Sequence, residues 1–366
     1  MLRTPLFDLH SELGAHFTEF AGWKMPLKYK SSIKETLAVR NGCGLFDVSH
    51  MGRLVIKGPD SLKFLQLVAT NDVDVELGRG RYTLILNESG GIKDDDVVFR
   101  IKEKEFLMVI NAGSREKIIG WLTEVKEDRK FDVDLEDITF KTVMIAIQGP
   151  RSAEFLSNLV DLPQIRRYRQ KEVNYRGDRV LVSRTGYTGE DGYELIFHNT
   201  DYGEEVFRKL VDLGVEPCGL GARDILRLEA GMCLYGQDMD ENTTPIEAQL
   251  EFVVRYDKDF IGKEALLRRK EEPSPYLRVG IKSRTRRSPR HGSKLFHEGE
   301  EVGWVTSGTF SPTIGVGIGM GYLRRDLSKP GTELKALVSD RQIEVVVSEM
   351  PFYDTTVYGY KRKRAC

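Results

Sequence analysis

The stretch Tyr82–Asn111, YTLILNESGGIKDDDVVFRIKEKEFLMVIN, decides the first reading of this chain. Apolar and β-branched runs alternate with a Gly90-Gly91 turn and a charged turn at Lys102–Lys104, so it reads as three strands in succession. Outward from it, Asp60 stands before a helical face of Leu62, Leu65 and Val68, and Ser114 before a face of Ile118, Ile119 and Leu122. Helix, strands, helix and a further strand near Val133 make an α+β unit with its helices on one face of a sheet.

Three adjacent aspartates follow the Gly-Gly turn. Side chains alternate faces along a strand, so Asp95 shares a face with Val97, Phe99 and Ile101, while Asp94 and Asp96 share the other with Val98 and Arg100. Asp95 is therefore expected to point into the protected space, where a carboxylate must be paired or raised in pKa. A solvated acidic turn beside Lys93 is the plainer alternative.

Upstream, Ser32 and Glu35 are spaced as a capping box for a helix ending near Asn41-Gly42. Downstream, SRTGYTGEDGYEL (183–195) places glycines at 186, 189 and 192, a tight turn between strands. If Glu194 faces a ligand there, its carboxylate suits two parallel N–H donors, the pattern of a guanine-like or pterin edge. In GLGARDILRLEAGMCLYGQDM (219–239), Arg223 and Arg227 share a helix face, with Asp224 and Glu229 near enough to pair on the surface. GLGARD is no dinucleotide fingerprint, because Asp224 stands where the third glycine belongs. After the Glu271–Pro275 linker the pattern is short strands. There SGTFSPTIGVGIGMGYL (307–323) sets glycines at period two, leaving one strand face bare for close packing. Lys282, Arg284, Arg286, Arg287 and Arg290, with Lys361–Arg364 at the end, are a solvated face or a docking surface for an acidic partner.

The remaining features exclude more than they assign. At 366 residues the chain is long enough for two or three domains. A net charge of −1 gives no pull toward nucleic acid or an anionic membrane. The opening MLRTPLFDLHSELG has no apolar h-region, and no apolar run approaches the ~18 residues of a membrane span. Cys43, Cys218, Cys233 and Cys366 form no CxxC pair, and the six histidines no HExxH spacing, so no metal is expected and the thiols read as cytoplasmic.

Taken in order, AGWKMPL, GLFDVSHMG, GGIKDDDVV, SRTGYTGEDGYEL, GLGARDILRLEAGMCLYGQDM and SGTFSPTIG resemble the signatures of the glycine cleavage T-protein family over nearly the whole chain. The resemblance implies a three-domain α+β cloverleaf around a central folate channel. Residues 1–52 with 138–262 would form a discontinuous first domain, 53–137 an inserted ferredoxin-like domain, and 276–366 a C-terminal domain of β-barrel or jelly-roll type. It implies a cytoplasmic, tetrahydrofolate-dependent aminomethyltransferase. Such an enzyme releases ammonia from the aminomethyl-lipoyl arm of H-protein and passes the methylene to tetrahydrofolate, its co-substrate, with no metal, flavin or nicotinamide. The family's key aspartate matches Asp95, which would orient the folate and stabilise a cationic, iminium-like species. Its pterin-binding glutamate and arginine match Glu194 and Arg223. Tyr82, Asn111, Met51 and Tyr187 fall on positions resembling folate-contacting ones.

Asp96 and Lys93 depart from the family pattern, which is usually apolar at the first and often at the second, so the charge around Asp95 should differ. Two rival readings share the fold: another folate-dependent demethylase, and a non-catalytic folate-binding factor of iron–sulfur assembly. The KGCYxGQE-like motif of the latter has no match in GMCLYGQDM.

Overall fold

A computed structural model describes residues 1–362. Lys363 and Arg364 of the basic tail, and Cys366, lie outside the described residues. Two sheets and a barrel organise the chain. The first sheet has six strands in the order 170–175, 178–183, 192–197, 143–148, 44–47, 216–217. One face packs on the helices Phe7–Glu12, Ser152–Ser157 and Thr200–Asp212 through Leu6, Leu45, Ile145, Leu195 and Phe207.

The second sheet is antiparallel, in the order 80–86, 92–102, 105–110, 52–57, 134–137. Its three consecutive strands are those expected for Tyr82–Asn111. They lie between the helices Ser61–Val68 and Arg115–Arg129, one strand more than the four of a β-α-β-β-α-β unit. Leu54, Ile56, Val98, Phe106 and Met108 face those helices. Phe99 and Leu107 face the other way and share a core with Phe46, Met144, Ala146 and Ile196 of the first sheet. The two sheets are thus joined back to back.

Strands from Tyr276 to Ser348 close a six-stranded barrel, 276–283, 316–324, 300–311, 294–297, 333–338, 341–348, around Val279, Leu295, Val305 and Val345. The period-two glycines serve packing here. A Cβ on Gly321 would fall 2.1 Å from the Trp304 carbonyl oxygen across the strand pair.

The helix Leu220–Glu229 is the hub. Ala222 and Leu226 enter the core shared by the sheets, while Leu228 meets Ile318, Met320 and Phe352 from the barrel side. Among the described residues, no helix is long and apolar enough to cross a membrane.

Two capping expectations change. Ser31, not Ser32, precedes the helix Ser32–Asn41. The Glu35 carboxylate turns outward to accept the backbone N–H groups of Tyr29 (2.8 Å), Lys30 (3.1 Å) and Gly219 (3.0 Å). It ties two loops to the helix instead of closing the helix on itself. Asp60 likewise spends its side chain on the Asp132 N–H, 2.9 Å away.

Candidate functional site

The aspartate run is no solvated turn. Strand alternation holds, but the deeper face is the opposite of the one expected: Asp94 and Asp96 are 0% and 1% exposed, beneath the helix side of the sheet, while Asp95 is half-buried on the face turned toward the other sheet. The helices cover the Asp94 side, whereas the Asp95 side, with Leu84 opposite, faces the segment around Cys233 and Met239.

Asp95 is held on both oxygens. Tyr82 donates its hydroxyl to Oδ2 at 2.9 Å, and Asn111 donates Nδ2 to Oδ1 at 2.9 Å. Tyr82 is opposite Val97, and Asn111 directly follows Ile110 on the strand whose Val109 pairs with Val97, so register alone brings both beside Asp95. Asn111 also donates Nδ2 to Asp94 Oδ1 (2.9 Å) and its backbone N–H to Asp94 Oδ2 (3.2 Å). Burial pushes the Asp95 carboxyl well above the usual range, and the Asp94 charge adds to it.

Arg223, on the hub helix, lines the same cavity as Asn111. Its Nη1 is buried without a hydrogen-bond partner, and its guanidinium lies 4.9 Å from the Tyr187 ring centroid. Glu194, on the strand Gly192–Phe197, accepts only from the Thr185 hydroxyl among the described residues, and burial raises its carboxyl. Glu194 feels the charge of Arg223 but makes no ion pair with it among the described residues. An unpaired acceptor and an unpaired donor are left facing the same region, an arrangement that native interiors rarely leave unfilled. The loop between them is built for tightness. Gly189 has φ +75°, and a Cβ there would fall 2.2 Å from the Tyr353 hydroxyl.

Met51, Asn111, Tyr187 and Arg223 line one cavity of about 220 Å³ together with Phe20, His50 and Tyr235. Tyr82, Asp95 and Glu194 are not in its lining. They reach it through Asn111 and Arg223. Arg227, expected as a surface partner of Arg223, is instead buried and paired with Asp238 (2.6 Å) and Asp224 (2.7 Å). Glu229 belongs to Arg40 (2.9 Å). Sequence reasoning passed over His50, although it lies within GLFDVSHMG. It is buried, its Nδ1 has no partner, and burial with the Arg223 charge lowers its pKa to about 3. Tyr235 was missed too. Lys117 donates to its hydroxyl at 2.7 Å.

A larger cleft, about 620 Å³, opens on the barrel among Arg286, Arg287, Arg290, Phe310 and Arg341. Of the basic stretch, Arg284 is already paired with Glu333 and Glu344. Arg362 of the tail turns inward to Glu190 and the Arg40 carbonyl.

The half-buried carboxylate of Asp95 and the Arg223 Nη1, without a hydrogen-bond partner among the described residues, thus stand on two joined sheets closed by a barrel. Residues 6–258 match the GCVT N-terminal domain, and 278–354 match the glycine cleavage T-protein C-terminal barrel domain. The chain is 46% identical to an aminomethyltransferase of Halothermothrix orenii (96% of this chain, 100% of the relative) and 42% identical to one of Aquifex aeolicus (99% and 98%). It is also similar to the crystal structure of the glycine cleavage system aminomethyltransferase T from Bartonella henselae, with a TM-score of 0.90, 36% identity, and 96% and 98% of the two chains covered. The chain belongs to the glycine cleavage T-protein family, and it is an aminomethyltransferase.

Proposed function

We propose that this enzyme works in the cytoplasm on the aminomethyl-lipoyl arm of H-protein and on tetrahydrofolate, and that Asp95 is its catalytic residue. The observation that carries the reading is the carboxylate of Asp95, fixed by Tyr82 and by Asn111, whose side chain lines the cavity where Arg223 Nη1 has no hydrogen-bond partner among the described residues. The residues fit a pterin. The free acceptor of Glu194 and the free donor of Arg223 complement its amide-like edge, and the Tyr187 ring offers a flat apolar face. Tetrahydrofolate, when bound, supplies the nitrogen that takes up the methylene.

The protein's own part is electrostatic. Asp95 orients that nitrogen and stabilises positive charge developing on the transferred carbon, in a site where charge is poorly screened. Tyr82 and Asn111 keep its two oxygens in place, so little reorganisation accompanies the transfer. Met51 and Tyr187 wall the space and exclude water. Ammonia leaves, and the lipoyl arm returns as its reduced dithiol.

H-protein is proposed to dock where Arg286, Arg287, Arg290 and Arg341 surround the barrel cleft, because these cations have no ion-pair partner among the described residues. The chain is divided as residues 1–52 with 138–262, 53–137, and 276–366. Ammonia release from aminomethylated H-protein, with and without tetrahydrofolate, tests the reading. Methylene-tetrahydrofolate should form only when both are present. Methyl transfer from a small methylated donor to tetrahydrofolate without H-protein would instead establish the demethylase.

A further inference from the structure

Asp96 takes no part in the reading above, yet it is among the most enclosed polar groups in the molecule. It sits two residues from Asp94 on the same strand face, so the two carboxyls lie side by side under the helix Arg115–Arg129. Counted as ionised, neither oxygen of Asp96 has a donor among the described residues. The group it faces is the Asp94 carboxyl, a second acceptor. Two carboxylates in contact and out of water cannot both stay charged.

The surrounding groups do not relieve the conflict. Lys117, from the helix above, is the cation that bears on Asp96, but it is held by Glu241 (2.9 Å) and Tyr235 (2.7 Å). Lys93, on the same strand, is also held by Glu241, at 3.4 Å. Thr83 stands opposite on the neighbouring strand with its hydroxyl engaged by Thr70 and the Asn71 N–H. Ser114 makes no hydrogen bond to Asp96. On the far side of the strand Asp95 adds a further negative charge.

A single shared proton removes the conflict, and the hydrogen bonds say where it resides. Both oxygens of Asp94 already accept from Asn111, one from Nδ2 and one from the backbone N–H. A proton on Asp94 would compete with those bonds, whereas both oxygens of Asp96 are free. We infer that Asp96 is a neutral carboxylic acid at pH 7 whose O–H donates to Asp94, and that it is a positioning residue for Asp95. It keeps Asp94 ionised, and an ionised Asp94 fixes the Asn111 amide with Nδ2 toward Asp95 Oδ1. Burial and the Asp94 charge both push Asp96 upward, in agreement with this placement.

The functional half rests on the reading of Asp95 as the catalytic carboxylate. The protonation half does not, and the experiment separates them. Infrared spectra of the free full-length enzyme at pH 7 should contain a carboxylic-acid C=O band that shifts in D2O. The band should be lost in Asp96→Asn and kept in Asp95→Asn. The pH profile of ammonia release supplies the second readout. Its acid limb, where Asp95 takes a proton, should keep its midpoint in Asp96→Asn, because one neutral group replaces another. In Asp94→Asn the midpoint should fall by about one pH unit or more, because a charge beside Asp95 is removed.

An ionised Asp96 gives the opposite on both counts: no band to lose, and an acid limb in Asp96→Asn that moves down by about a unit or more. Either result overturns the inference. If Asp96→Asn does not fold, Asp96→Leu serves for the infrared readout, with the same band lost. Should the wild type release no ammonia from H-protein, the reading of the site falls while the infrared comparison still decides the proton.

Discussion

Arg40 and Arg223 are both arginines withdrawn from solvent, and they are finished differently. Arg40 makes five hydrogen bonds to four acceptor atoms: Glu229 Oε2 from Nε and Nη2, Glu190 Oε1 and the Thr188 carbonyl from Nη1, and the Leu226 carbonyl from Nη2. Arg223 has Nη1 empty and Glu194 within electrostatic reach but unpaired. The same contrast separates Glu229, which accepts from Arg40, Ser311 and Thr313, from Glu194, which has Thr185 alone. A buried charge whose bonds are all made holds a fold together. One left open is, on the proposed reading, kept for a ligand.

Experiments can break this contrast. The largest effect belongs to the closed cluster. Arg40→Met strands Glu229 without a cation and leaves Glu190 with Arg362, so stability in chemical denaturation should fall by about 3–5 kcal/mol. A loss below about 1 kcal/mol would mean the cluster is not structural. Asp95→Asn should leave the denaturation midpoint nearly unmoved yet lower turnover by ~10²-fold or more, with Asp94→Asn and Asp96→Asn doing less. If Asp96→Asn proves the most damaging of the three, Asp95 is not the catalytic residue.

Glu194→Ala sharpens the comparison from the open side. Tetrahydrofolate affinity by isothermal titration should drop by ~1.5–3 kcal/mol, the scale of a lost charge-assisted pair. Unchanged affinity removes Glu194 from the site. The smallest effect lies at the exposed barrel cleft. Reversing Arg286, Arg287 and Arg290 to Glu should raise the KM for H-protein a few-fold near 0.02 M salt and hardly at all near ~0.15 M, where the Debye length is about 8 Å. Arg284 is left out because Glu333 and Glu344 already neutralise it. A KM that ignores both salt and reversal leaves the cleft a solvated surface.

The sequence shows its strands plainly where local pattern decides them. The three runs between Tyr82 and Asn111 are strands, and the bare glycine face packs on backbone, because period-two alternation and a missing Cβ are local facts. The partners of charges are not local. Nothing within GLGARDILRLEA says that Glu229 serves Arg40, 189 positions earlier, rather than its helix neighbours. Nor does the strand pattern say which face of the aspartate run is deeper. That depends on the helix Arg115–Arg129 covering one side, and apolar neighbours on the Asp95 face pointed the other way. Tyr82 and Asn111 could be named from the resemblance, but their convergence on Asp95 follows from strand register. His50 was passed over because a lone histidine in a strand-rich stretch has no pattern of its own.

The inward turn of residues 359–362 couples two parts of the molecule that the comparison above kept apart. Gly359 donates to Glu190 Oε1, Tyr360 donates to the Gly189 carbonyl, and Arg362 reaches Glu190 and the Arg40 carbonyl. These bonds brace the loop that carries Tyr187, and Glu190 accepts from Arg40 as well as from Arg362. One carboxylate thus anchors both the closed Arg40 cluster and a wall of the cavity.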